Sequence, residues 1–269
     1  MSTCSSKYAH ESYRRVLGSE HPDTLRAMNN LGSLFWKLEK FDRSIPLFEE
    51  ILRIRKDTVG EDHPDTCFTM GNLGVNYRDG GRLAEALPML EKTFEASRRY
   101  PALSMFRQSL AKAWLKAGNL AEAARVAKEQ LEMARAELPG PSLELARELE
   151  QIGATLLKAQ DWNGAEEVLG ECLTMQNDLA PDEWQTFHIR SLLGGALLGQ
   201  KKYDEAEPLL LAGYEGLKAR VAKAPDDGMG LSQAIERLVQ LYTEWEKPDQ
   251  AAAWQQKLDE YKNREKNEP

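Results

Sequence analysis

The sequence predicts an all-α chain in which antiparallel helix pairs stack in tandem into a solenoid. Three observations carry this expectation. The tetrapeptide HPDT stands at residues 21–24 and again at 63–66, a separation of 42, and periods of that length mark helical repeat arrays. Behind each copy, apolar residues recur three and four apart, the spacing of one helix face. Charged residues make up 29% of the 269 and aromatics only 8%, which suits helices with one apolar stripe and a solvated back.

The repeats follow one another along the sequence. The segment after the first HPDT reads MNNLGSLFWKLEKFDRSIPLFEEIL, and that after the second reads MGNLGVNYRDGGRLAEALPMLEKTF. Weaker copies continue as SLAKAWLKAGNLAEAARV, QIGATLLKAQDWNGAEEVL, LLGGALLGQKKYDEAEPLL and RLVQLYTEWEKPDQAAAW. Anchoring each on its central aliphatic residue gives Leu31, Leu73, Leu110, Ile152, Leu193 and Leu238, with spacings of 42, 37, 42, 41 and 45. A first helix of each pair, helix A, carries a stripe such as Met28, Leu31, Phe35 and Leu38, or Ile235, Leu238, Tyr242 and Trp245. Helix B follows about ten residues past the anchor. Its stripe opens on a small residue (Ser44, Ala86, Ala123, Ala165, Ala206, Ala251), which lets the two helices approach closely. A large apolar residue comes one turn later in most copies, as in Phe48, Leu90, Leu169 and Leu210. A single pair cannot bury its apolar face, so neighbours complete the core.

The expected organisation is a partial repeat over 1–20, a lone capping helix B. Six repeats follow, at about 21–62, 63–100, 101–140, 141–180, 181–224 and 225–262, and then a polar tail over 263–269. The prolines support this register. Pro22, Pro64 and Pro101 lie nine residues before their anchors, and Pro141, Pro181 and Pro225 lie 11 to 13 before theirs. All six are expected in the first turn of helix A, where a missing N–H is tolerated. Pro46, Pro88 and Pro208, each 15 past an anchor, are expected in the opening turn of helix B, and Pro248 at a helix B start. No helix interior is expected to contain proline.

Composition excludes several classes. The formal charge is −8, from 43 acidic and 35 basic side chains, and no long basic tract is present to neutralise phosphates, so no nucleic-acid partner is expected. Three cysteines, Cys4, Cys67 and Cys172, lie far apart and form no CxxC or Cys/His cluster, so neither a disulfide framework nor a zinc site is expected. Cys172 falls on an apolar stripe, where a thiol serves as a small hydrophobe. The N-terminus MSTCSSKYAHESYRR lacks a signal-peptide core, and no apolar run reaches membrane-spanning length. A cytoplasmic location, with no membrane partner, is the expectation.

The pattern GxxHPDT, then NNLG or GNLG, then A-x-P-L in helix B resembles the tetratricopeptide repeat in its 42-residue, kinesin-light-chain form. The resemblance covers about residues 8–262 and is strongest over the first two full repeats. The third departs from it with Ala111 in place of the Gly after the anchor; the last has Val239 there and Pro248 where an aromatic or Leu is usual. It implies a right-handed superhelical solenoid whose A helices line a concave groove. The closing segment LYTEWEKPDQAAAWQQKLDEY is also similar to repeat regions that follow bacterial serine/threonine kinase domains. Residues 11–24, ESYRRVLGSEHPDT, align with 53–66, RIRKDTVGEDHPDT. The sequence therefore starts inside a repeat, and is expected to be either a C-terminal piece of a longer protein or one whose first repeat has eroded.

No catalytic signature is present. There is no GxGxxG after a strand, Walker loop, GxSxG or HExxH, and the kinase catalytic triplets are absent, so the protein is expected not to be an enzyme and to hold no cofactor or metal. His21 and His63 each precede an Asp by two residues, but their separation of 42 puts them in equivalent loops, where they read as caps leading into helix A. Asp23 and Asp65 then suit the positive helix end. Paired carboxylates such as Glu49–Glu50 and Glu166–Glu167 belong to solvated faces. Among the six tryptophans, Trp114, Trp245 and Trp254 fit buried stripes, and Trp36 can reach either surface.

The functional signal lies on the other face of helix A. Positions −5, −1, +2 and +6 from the anchor share that face. Along the six copies they hold seven basic residues (Arg26, Lys37, Lys112, Lys116, Arg147, Lys158, Arg237) against two acidic ones, Asp79 and Glu244. A local excess of five positive charges thus stands on an acidic protein. Asn30 and Asn72 match the groove asparagines of the family, and the resemblance implies that they clamp a peptide backbone, which an amide can do by donating and accepting at once. The lysines and arginines would hold acidic side chains or a terminal carboxylate. The expected function is a non-enzymatic scaffold for protein–protein interaction. It would bind an extended, acidic peptide in a basic groove through Arg26, Asn30, Lys37, Asn72, Lys112, Lys116, Arg147 and Lys158. Two alternatives stand beside it: a regulatory or localisation module of a larger signalling protein such as a bacterial serine/threonine kinase, and an enzyme with a site improvised on the groove. Self-association through the incomplete first repeat is a further expectation.

Overall fold

A computed structural model describes residues 12–220 and 229–267, and these contain helices and turns but no strand. After a helical segment at 12–17, the helices are α1 (Pro22–Lys37), α2 (Phe41–Val59), α3 (Pro64–Asp79), α4 (Leu83–Ala96), α5 (Arg107–Lys116), α6 (Leu120–Glu137), α7 (Leu143–Lys158), α8 (Trp162–Leu179), α9 (Trp184–Gly199), α10 (Tyr203–Lys218), α11 (Met229–Glu244) and α12 (Pro248–Asn267). The odd-numbered helices are A helices and the even-numbered ones B helices. α12 runs into the segment expected as a polar tail. Cys4 and Pro225 lie outside the described residues.

The protein forms two compact units, 1–123 and 124–269. In the first, α1 packs on α2, α2 on α3 and α3 on α4, around Met28, Leu31, Phe48, Ile51, Met70, Leu73 and Leu90. In the second, each helix from α7 to α12 packs on the next, and the A helices also touch one another, α7 with α9 and α9 with α11. Its core holds Leu149, Ile152, Leu169, Cys172 and Ile189 in one cluster and Leu210, Leu238, Leu241 and Trp254 in another. The all-α solenoid of antiparallel pairs is therefore the observed architecture.

Close approach within a pair has a specific cause. A Cβ placed on Gly32, Gly74, Gly153 or Gly194 would come within 2.8, 2.8, 2.5 or 2.7 Å of Phe48, Leu90, Leu169 or Leu210 respectively. The large stripe residue of helix B thus lies on the bare backbone of helix A, and the absent side chain sets the interhelical distance. Ser44, the polar member of the small-residue set, is fully buried and donates its hydroxyl to the Gly32 carbonyl at 2.7 Å.

The GxxHPDT pattern is a helix-entry device. His21 and His63 are the N-caps of α1 and α3, their Nδ1 atoms accepting from the Asp23 and Asp65 amides at 3.2 Å. Proline takes the first helical position. The threonine hydroxyl then donates backwards, Thr24 to the Gly18 carbonyl at 2.8 Å and Thr66 to the Gly60 carbonyl at 2.7 Å. Thr186 makes the same bond to Ala180 at 2.7 Å without the rest of the motif.

The structure corrects the proline reading in part. Pro22, Pro64 and Pro248 open helices as expected, and Pro101 opens a 3₁₀ turn. Pro141 and Pro181 instead precede the caps Ser142 and Glu183. Pro46, Pro88 and Pro208 lie inside α2, α4 and α10, each at the sixth residue and therefore beyond the first turn. Each removes one N–H from the ladder, but all three are exposed, so water can satisfy the freed carbonyl. Leu38, expected on the α1 stripe, is the C-cap and is 46% exposed.

The third repeat is the short one. There the 3₁₀ turn Pro101–Phe106 replaces the start of helix A, and α5 begins only at Arg107. Arg107 is 4% exposed and donates to the hydroxyl and carbonyl of Ser97, the C-cap of α4, at 3.0 Å each.

Candidate functional site

The A-helix face of the first unit carries six of the residues singled out from sequence. Arg26 is exposed and bonds Asp23 at 2.8 Å within its own helix. Asn30 and Lys37 are exposed and have no hydrogen bond or ion pair among the described residues. Asn72 is half-buried and donates to Asn29 Oδ1 at 3.0 Å. Lys112 is exposed and engaged. Lys116 donates through Nζ to the carbonyls of Arg78 and Asp79 at 2.8 and 3.4 Å, so it caps the C-terminus of α3, where a cation also suits the helix dipole.

Lys37 and Lys116 come together at one place. With Trp36, Glu39, Phe41 and Asp79 they line a depression of about 560 Å³ at the C-terminal ends of α1 and α3. Asp79, the acidic exception on the face, is neutralised there. It accepts from Trp36 Nε1 at 2.8 Å and from Arg78 at 2.8 and 3.0 Å. Burial pushes its carboxyl up, but the bonds from Arg78 and Trp36 outweigh this and hold it below the ordinary carboxylate range. The α1–α3 edge of the depression is thereby fixed, and Lys37 makes no ion pair among the described residues.

At the −5 position of this face the second and third repeats carry apolar side chains, Phe68 and Met105, where the first has Arg26. Phe68 meets Phe106 edge-on at 5.3 Å, and Met105 is 66% exposed.

In the second unit, Arg147 and Lys158 stand at the two ends of α7, both exposed and both without a partner among the described residues. His188 of α9 bonds Glu150 of α7 at 2.7 Å, and its ring lies 5.9 Å from that of Trp184. Glycines hold the +2 and +6 positions of α9. Gly199 is required because Trp162, the first residue of α8, would lie 2.4 Å from a Cβ there.

Sequence reasoning placed these residues on one face but missed how adjacent A helices use it. Asn72–Asn29, Trp36–Asp79, His188–Glu150 and Arg237–Ser191 are rungs between successive A helices, with partners 43, 43, 38 and 46 residues apart. The separation is close to one repeat, and a search for polar pairs one repeat apart on the flanks of helix A would have found them. Among the described residues the two thiols, Cys67 and Cys172, are buried and free. Burial raises Cys67, and raises Cys172 to about 12. Among the described residues no three His, Cys, Asp or Glu converge as metal ligands, and no helix is long and apolar enough to cross a membrane.

These helix pairs and their entry motif define a class, the helical-repeat scaffolds, and comparison with known proteins gives the kind. A family model described as tetratricopeptide repeat matches residues 8–57 and 36–99, so that part of the sequence consists of tetratricopeptide repeats. Solved structures extend the fold beyond it. A kinesin light chain of Podosopora anserina with nearly identical TPR-like repeats is 18% identical, with a TM-score of 0.66 over 76% of this protein and 100% of its own length. BtubC (BKLC) of P. vanneervenii is also 18% identical, with a TM-score of 0.65 over 83% of this protein and 92% of its own length. PilF of Pseudomonas aeruginosa is 14% identical, with a TM-score of 0.53 over 96% of this protein and 93% of its own length. No match was found among curated proteins. The described helices therefore share the fold of kinesin-light-chain-like tetratricopeptide-repeat solenoids, and residues 8–99 match the repeat itself; such repeats serve in general as scaffolds for protein–protein interaction.

Proposed function

We propose that the protein is a non-enzymatic scaffold that binds extended, acidic peptide segments on its A-helix faces. The observation that carries this is a contrast in satisfaction. On these faces the acids Asp79 and Glu244 already accept hydrogen bonds from neighbours, whereas the cations Lys37, Arg147 and Lys158 are exposed with no partner among the described residues. Unpaired cations attract carboxylates, and the attraction strengthens where a ligand displaces water. In the first unit Lys37 would supply charge at the depression beside Trp36, with Asn30 free to bond a peptide backbone. Arg26, Asn72, Lys112 and Lys116 would line the same face, although their present bonds leave each fewer free donors. In the second unit Arg147 and Lys158, 11 residues apart, would contact acidic groups at separate points on the ligand.

Calorimetric titration with N-acetyl-hexaglutamate amide tests the reading. Binding that weakens as salt rises is expected, because exposed pairs are screened. Equal binding of the matching hexalysine peptide would contradict it.

The exposed side chains Tyr13, Val16 and Leu17, at 43%, 72% and 40%, favour a further association, of one copy of the protein with another. Sedimentation over a concentration series should show mass rising with concentration; a constant monomer mass would exclude it.

A further inference from the structure

We propose that one edge of the second unit, where α7 and α9 begin and α8 ends, is a docking surface for a basic amphipathic helix of a partner protein. The edge shares none of the residues given to the acidic-peptide site. Hydrogen bonds bring the three helix ends together. Cys172 of α8 donates to the Ala146 carbonyl of α7 at 3.1 Å. Arg190 of α9 donates to Asn177 of α8 at 3.1 Å. The Thr186 hydroxyl of α9 donates to the Ala180 carbonyl, just past α8, at 2.7 Å.

The apolar side chains of this edge are larger than the fold requires. Leu143 and Trp184 are the first residues of α7 and α9. Leu143 is 48% exposed and Trp184 half-buried, while Leu179, the last residue of α8, is 46% exposed. Leu143 and Trp184 stand nine residues before their anchors, where the first unit has Pro22, Pro64 and Pro101. Proline serves a first helical position through its backbone alone, so a helix start does not call for a large apolar side chain. Exposed apolar side chains gathered together and rimmed by polar ones mark interaction surfaces.

The rim is acidic. The side chains of Glu144, Asp178 and Glu183 are exposed, with no hydrogen bond or ion pair among the described residues. Arg190 and Arg220 reach this edge but are engaged. Arg190 bonds Asn177, Arg220 donates to the Asp182 carbonyl at 2.6 Å and lies 3.6 Å from its carboxylate, and both stack over the Phe187 ring. Asp178 lies in the last turn of α8, at the negative end of the helix dipole, where α6 and α10 instead carry Arg135 and Lys218. A carboxylate there opposes the helix, and a cation from outside compensates it. Apolar side chains beside free carboxylates are complementary to a helix with an apolar stripe flanked by lysine or arginine.

The test is calorimetric titration of the protein with an acetylated, amidated two-heptad amphipathic helix of leucine and lysine, and with the same peptide bearing alanine at every leucine. The leucine peptide should bind roughly tenfold more tightly or better; equal affinities would reduce the attraction to charge and overturn the proposal, as would no binding of either. Glu144→Gln/Asp178→Asn/Glu183→Gln should weaken the leucine peptide roughly tenfold or more, and so should Leu143→Ser/Leu179→Ser. Glu205→Gln/Glu246→Gln/Asp249→Asn removes as many exposed charges from the opposite edge of the unit and should leave affinity near wild type; equal losses in the two charge variants would refute the site. Asp178→Asn alone should hold or raise the Tm, whereas a lowered Tm would mean that the fold itself uses this carboxylate. Affinity for N-acetyl-hexaglutamate amide, measured on the same variants, should not fall, so a failure of the acidic-peptide reading is seen separately.

Discussion

The Thr66 hydroxyl is fully buried and donates to the carbonyl of Gly60, which ends α2 with φ +95. It ties the end of one hairpin to the start of the next, beside the His63 cap. Thr66→Val keeps the shape but leaves that carbonyl without its donor. It should cost about 1–2 kcal/mol, read as a lower urea midpoint at constant slope, whereas Thr66→Ser should stay near wild type. The histidines and prolines of this motif were legible as a cap because their chemistry acts within a few residues. The threonine's partner was not, because its target lies six residues back, in a turn whose shape only the fold supplies. The same limit applies to the candidate site. Residue type and spacing placed Lys37, Arg147 and Lys158 on the A-helix face, but whether a neighbour already uses a side chain depends on the next repeat. Asn72 and Lys116 show this, being engaged with Asn29 and with the end of α3.

At the scale of the helix pair, one feature recurs in all six copies. The residue eight past the anchor, in the turn from A to B, has positive φ: Glu39 (54), Gly81 (80), Gly118 (76), Gln160 (60), Lys201 (62) and Glu246 (56). Only two are glycine, and the left-handed conformation costs an L-residue about 1–2 kcal/mol. Glycine there would remove the strain while adding freedom to the unfolded state, a smaller opposing effect. Glu39→Gly or Lys201→Gly should therefore raise the thermal midpoint, with a net gain of up to about 1 kcal/mol. Ala253→Gly, in the exposed interior of α12, should lower it by about 1 kcal/mol. The hairpins were legible because apolar periodicity and the Gly–large-residue complement repeat in sequence. The left-handed turn was not, because four of its six residues are types that ordinarily avoid it. The broken first turn of the third repeat was likewise hidden, although its anchor spacing of 37 signalled missing residues.

At the scale of the whole molecule, an acidic protein bears on its A helices cations with no partner among the described residues, while many cations of its B helices are paired. Arg53 bonds Asp57 at 3.2 Å, Lys92 bonds Glu61 at 2.8 Å and Arg135 bonds Glu171 at 2.5 Å. Such exposed pairs add little stability, but they leave fewer donors for a ligand. This distinction yields a controlled comparison. Lys37→Glu/Arg147→Glu/Lys158→Glu and Arg53→Glu/Lys92→Glu/Arg135→Glu change the net charge equally, so long-range attraction of an anion falls alike in both. Only the first removes unpaired cations from the A-helix faces. The deciding measurement is the affinity of each triple variant for N-acetyl-hexaglutamate amide at constant salt. The A-helix variant should lose roughly tenfold or more, and the B-helix variant distinctly less. Equal losses would mean that the peptide responds to net charge alone, and would contradict a binding site on the A-helix faces.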